Sequence, residues 1–176
     1  RVTDEGEIYN FFSHEKYSET IARKLLTKLR FSNNEINNVC HLIENHMFHY
    51  EESWSDAAIR RFVVRVKPEN IEDLIDLRLA DMYGKYNMPI QIKESNACDL
   101  LIQLQDRIKK IQEENSAFTL KSLAVSGKDL MEIGIPSGKL IGKILDSLLE
   151  TVLDDPKQNS KDVLLNIAKN LYEQMK

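Results

Sequence analysis

Apolar residues recur at every third or fourth position along most of this 176-residue chain. That spacing lays one face of an α-helix against a core. Helix-start signals punctuate the pattern. Ser13 precedes a face of His14, Ser18, Ile21, Leu25 and Leu29 running to about Arg30. Ser32-Asn33-Asn34-Glu35 has the form of a capping box, in which the serine and the glutamate each satisfy an orphan amide. Ile36, Val39, Cys40, Ile43 and Met47 follow it as a stripe, with His46 at its edge, His41 on the polar side and His49 well off it. Ser55 opens a third helix with Ile59, Phe62, Val63 and Val66 inward and Arg60, Arg61 and Arg65 outward. Pro68 suits the first turn of a fourth, since its missing N–H would be unpaired there. The expected class is all-α, with no strand pairs; residues 1–12 read as a turn and an extended piece without a partner strand.

Gly84 is expected to stop the fourth helix, and 84–95, with Pro89, reads as a linker. The expected organisation is therefore a helical domain over 1–83, the linker, and a second helical domain over 96–176. The second begins with a long amphipathic helix from Asn96 to about Glu114, whose charged end projects into solvent. Short and long helices follow Ser126-Gly127 and Ser137, and Ser160 caps the last.

Composition narrows the function. Net charge is −4, which argues mildly against a nucleic-acid binder, although a local basic patch can bind while the rest repels. Cys40 and Cys98 sit among apolar positions, as thiols do in a reducing, cytoplasmic compartment. No apolar run approaches the ~18 residues that a membrane span needs, so no membrane partner is expected.

Three groups of residues carry chemistry. His14, His46 and Asp81 lie on the inward sides of three helices, where imidazole and carboxylate could hold a divalent metal that activates water. Equally, a buried Asp81 could pair with Arg60 or Arg78, and a buried histidine could satisfy a carbonyl. Arg60, Arg61 and Arg65 read as a phosphate-contacting ridge or as a solvated face. Ser137-Gly138-Lys139-Leu140-Ile141-Gly142 puts glycine and free amides at a helix start, which suits a phosphate, with Lys139 and Lys143 beside it; Gly142 could instead serve close helix packing. There is no P-loop, no GxGxxG and no Ser-His-Asp or Cys-His set.

Several stretches resemble the C-terminal half of bacterial CCA-adding enzymes (tRNA nucleotidyltransferases, with the related poly(A) polymerases). Phe12-Ser13-His14-Glu15 is similar to that family's F-x-G-H-E, with serine where glycine is usual. Leu29-Arg30-Phe31-Ser32 resembles its L-R-F-S, Asn45-His46-Met47 its H-M, and Leu79-Ala80-Asp81 its A-D. Trp54-Ser55-Asp56-Ala57-Ala58-Ile59-Arg60-Arg61-Phe62 resembles W-S-D-A-A-V-R-R-F. Val125 to Met131, Gly134-Ile135-Pro136 and Ile141 to Pro156 resemble the family's tail.

The resemblance implies an HD-like helical domain followed by a body and tail that hold tRNA through its backbone. It assigns Arg60, Arg61, Lys128, Lys139 and Lys143 to phosphate contacts. Nucleotidyl transfer, with its Mg ions, belongs to an N-terminal head whose Gly-Ser and Asp-x-Asp motifs are absent here. This chain is therefore expected to be a fragment, inactive alone, with no cofactor of its own beyond a divalent ion at the His14, His46 and Asp81 remnant. The HD dipeptide would lie just upstream of Arg1. Two rivals stand beside this: a divergent HD-type metal-dependent phosphohydrolase, and a helical interaction or homodimerisation module using the end of helix 96–114.

Overall fold

The computed structural model describes the backbone of residues 2–3, 6–7, 14–86, 96–114 and 122–175 and the side chains of 14–84, 98–114 and 122–175. Its helices are α1 (His14–Lys28), α2 (Asn33–Asn45), α3 (Asp56–Val66), α4 (Ile71–Tyr86), α5 (Asn96–Glu114), α6 (Gly127–Glu132), α7 (Lys139–Asp154) and α8 (Lys161–Gln174). The protein is all-α apart from one minimal hairpin. Its strands β1 (Val2–Thr3) and β2 (Gly6–Glu7) pair antiparallel, Val2 opposite Glu7. This corrects the expectation of an extended piece with no partner strand. The Ser13 cap and most of the 84–95 linker lie outside the described residues.

The chain divides into two compact units, each drawn from two stretches. One takes Arg1–Tyr50 and Val66–Asp99, the other Glu51–Arg65 and Leu100–Lys176. Nearly all of α3 thus groups with the C-terminal helices.

In the first unit, α1 packs along α2. Arg23 donates to Asn37 Oδ1 at 3.1 Å, and the Cys40 thiol donates to the Glu19 carbonyl at 3.8 Å. The capping box holds as expected: the Ser32 amide donates to Glu35 at 2.8 Å and the Glu35 amide to Ser32 Oγ at 3.3 Å. The face of α1 does not match expectation. No residue of α1 is fully buried. Tyr17, Ile21, Leu25 and Leu29 are 71, 65, 53 and 59% exposed, whereas the adjacent side with Ala22 and Leu26 meets α2, half-buried. Val39 and Met47, expected inward, are likewise exposed; for Met47 the reason is that α2 ends at Asn45 and the chain then turns Phe48 and Tyr50 inward instead. Gly84 does not stop α4, which continues to Tyr86.

In the second unit, Leu123, Val125, Leu130, Ile135, Ile144, Leu148, Val152, Leu164 and Ala168 form one core. α3 buries Ile59, Phe62 and Val63, as its spacing predicts. Leu101, Leu104, Ile108 and Ile111 are buried along α5.

The two units close their helices with the same device. After α1, the Phe31 amide reaches the Leu26 carbonyl and the Arg30 amide the Thr27 carbonyl, each at 3.1 Å. After α6, Ile135 reaches Leu130 at 3.1 Å and Gly134 reaches Met131 at 2.9 Å. Both are Schellman motifs, which need a left-handed residue. Gly134 supplies φ 91° at no steric cost, while Arg30 holds φ 63° against its own Cβ.

Candidate nucleic-acid interface

The charges of α3 have intramolecular partners. Arg60 is 8% exposed, not outward as its helical position suggested. Its Nε donates to the Leu153 carbonyl at 2.7 Å and its Nη2 to the Asp154 carbonyl at 3.2 Å. The last carbonyls of a helix lack intrahelical donors, and a guanidinium near them satisfies both charge and hydrogen bonding. Arg61, half-exposed, donates to Glu150 at 2.7 Å and to Asp154 at 2.8 Å. Those two carboxylates, Glu150 first, raise its pKa above the ordinary arginine value.

The rest of the Trp54–Phe62 run is engaged in the same way. The Trp54 ring meets Phe62 edge-on at 5.8 Å. The Ser55 hydroxyl accepts from the Ala58 amide at 3.2 Å, and Arg107 donates to Asp56 at 2.6 Å and to the Trp54 carbonyl at 2.8 Å. This run fastens α3 to α5 and α7.

The lysines are placed differently. Lys128, Lys139 and Lys143 are all exposed. Among the described residues none of them has an acidic partner. Three helices begin close together here. A Cβ at Gly127 would lie 3.2 Å from Ile141 Cγ2, so the first turn of α6 sits hard against the first turn of α7. Lys161, in the first turn of α8, pairs with Asp129 of α6. Asp129 also accepts from the Ser126 amide at 2.8 Å and hydroxyl at 2.6 Å. Lys161 foremost, then Ser126, holds the Asp129 carboxyl well below its usual range.

Each helix start carries partial positive charge from unpaired amides. That of α7 is left the most open: Gly138 gives no side-chain cap and no acid occupies the first turn. Gly138, at φ 136°, adopts a conformation that side chains avoid. No atom lies within 4 Å of a Cβ built at Gly142, so close helix packing does not account for that glycine. Gly138, Lys139, Gly142 and Lys143 present one exposed strip of backbone and cation. Such a strip can approach an anionic backbone closely.

His14 and His46 come together in the first unit, their rings edge-to-face with centroids 5.4 Å apart. His46 is buried, and its Nδ1–H donates to the Ile43 carbonyl at 2.7 Å. Asp81 is more open than its helical position suggested and accepts from Arg78 at 3.2 Å, one of the partners its sequence context offered. Among the described residues no three His, Cys, Asp or Glu side chains gather closely enough to hold a metal ion. His41, expected on the polar side, is half-buried and donates through Nε2 to the Val66 carbonyl at 2.8 Å.

No described helix is long and apolar enough to cross a membrane. Over residues 1–168 the chain matches the model of the family described as tRNA nucleotidyltransferase domain 2. No curated protein and no solved structure matches it.

Proposed function

Since the chain belongs to the tRNA nucleotidyltransferase domain 2 family, we propose that it grips the acceptor arm of tRNA by backbone and shape contacts, in the cytoplasm. Nucleotidyl transfer, with its Mg ions, belongs in this reading to a head domain of the parent enzyme. That head also chooses between CCA, part of CCA and poly(A). The observation that carries the grip is the exposed strip of Gly138, Lys139, Gly142 and Lys143 at the uncapped start of α7, with exposed Lys128 on the adjoining α6. Phosphates are attracted to open helix N-termini and to unpaired lysines alike. RNA helices are held mostly by such contacts rather than by base edges. Arg60 and Arg61, which the resemblance assigns to phosphate, act instead by fixing the C-terminal end of α7.

The test is tRNA binding by filter or gel shift across a salt series. Lys128→Ala, Lys139→Ala and Lys143→Ala together should weaken binding and flatten the salt dependence by about two units of log–log slope. Binding no tighter than to a lysine-poor control protein, or a slope unmoved by the triple variant, sinks the reading.

The His14–His46 pair favours a second reading, a divergent HD-type phosphohydrolase. With the Nδ1 proton of His46 given to a carbonyl, its Nε2 lone pair is free to act as a ligand. The donors present do not fit a resident ion, since Asp81 is drawn to Arg78. Stoichiometric Mn, Ni or Fe with phosphodiesterase turnover would establish this reading against the first.

A further inference from the structure

We propose that the outer faces of α1 and α4 bind a second copy of this chain, α1 of each copy lying antiparallel on α4 of the other. The outer side of α1 carries two ridges at i, i+4 spacing. Tyr17, Ile21, Leu25 and Leu29 form the apolar one. Lys16, Lys24 and Lys28 run beside it, all exposed and all without an acidic partner among the described residues. A soluble chain rarely leaves so continuous an apolar ridge uncovered unless something docks there.

The outer side of α4 and its lead-in turn complements it in order. Glu69, Glu72, Asp73 and Asp76 are exposed at the N-terminal end, with no basic partner among the described residues. Half-buried Leu79, exposed Ala80 and Tyr83, which is 41% exposed, follow toward the C-terminal end. Laid antiparallel, Lys24 and Lys28 meet the acids while Tyr17 and Ile21 meet Leu79, Ala80 and Tyr83.

Other occupants fit less well. RNA would use the lysines, but it would leave four large apolar side chains in water and would face the acids of α4. Pairing α1 with its own copy antiparallel would set lysine against lysine. One helix-on-helix contact is small beside the ~1,200–2,000 Å² that a stable interface buries. A twofold arrangement makes the same contact twice, as an isologous dimer does.

Sedimentation over a concentration series tests this on the intact chain, with helicity by circular dichroism as the control for folding. The wild-type chain should dimerise. Lys24→Glu with Lys28→Glu should weaken the dimer at least tenfold, and so should Asp73→Lys with Asp76→Lys. An equimolar mixture of the two variants should regain it, because in the heterodimer one contact is native and the other has both signs reversed. A wild-type chain that stays monomeric, single variants that still dimerise, or a mixture that stays monomeric each overturns the proposal. So does a loss of tRNA affinity in the α1 variant with its mass unchanged, which would mark the face as an RNA surface. None of these outcomes bears on Lys128, Lys139 and Lys143, so this proposal and the tRNA reading fail separately.

Discussion

α1 and α7 are helices of 15 and 16 residues, yet they stand at opposite ends of what a helix can contribute. α7 buries Ile144, Leu148, Val152 and Leu153, and its C-terminal end is clamped by Arg60. α1 buries nothing fully and holds its last turn with an arginine in a glycine's conformation. Both have a regular apolar pattern. Pattern alone makes a helix; what covers the pattern makes it stable. The second unit is therefore the rigid support on which exposed lysines can be held in register, while the first keeps an uncovered face.

The largest test of this contrast is truncation. Leu148→Ala, in the middle of the second core, should cost about 3–4 kcal/mol. Leu25→Ala at the matching place on α1, at a concentration low enough to keep the chain monomeric, should cost less than about 0.5 kcal/mol. Denaturant unfolding of the two variants measures the gap, and equal costs would break the comparison. Next in size is Arg60→Ala, which leaves the end carbonyls of α7 without their charged donor and should cost about 2 kcal/mol. Arg61→Ala, whose ion pairs are in solvent, should cost under about 1 kcal/mol.

The paired Schellman motifs give a smaller, signed test. Arg30→Gly should stabilise the chain by up to about 1 kcal/mol, because the left-handed strain is removed. Gly134→Ala should destabilise by about 1 kcal/mol for the converse reason. Thermal melts of both read the two signs, and like signs would contradict the account.

The weakest lever is acid. Asp129 has its pKa lowered below the ordinary value of 3.8 by Lys161 and Ser126. Its contribution is thus fully present above that ordinary value and is lost as pH falls through the lowered one. Wild type should lose part of its advantage over Asp129→Asn only below about pH 4, and the melting difference should be flat from there to neutrality.

Much of this was legible in the residues. Ser32 and Glu35 announced a capping box because cap chemistry is local. Ile59, Phe62 and Val63 announced a buried face because three agreeing positions leave little choice. For α1 the spacing correctly grouped Ile21, Leu25 and Leu29, but periodicity says which residues share a face, not which face a neighbour covers. The narrower Ala22 and Leu26 side fits against α2. Arg60, outward by its helical position, is buried for a related reason. Its partners are carbonyls some ninety positions away, and a main-chain acceptor leaves no trace in the side-chain sequence. Lys128, Lys139 and Lys143 could be named from the resemblance, yet the contact of Gly127 with Ile141 that sets the starts of α6 and α7 side by side is one that no spacing rule predicts.

Hydrogen–deuterium exchange with and without tRNA, at low salt, compares the two units most directly. The account predicts slowed exchange in the starts of α6, α7 and α8, from Ser126 through Lys143 and around Lys161, with His14–Lys28 unchanged. Protection confined to His14–Lys28, or none at the lysine-bearing helix starts, would contradict it.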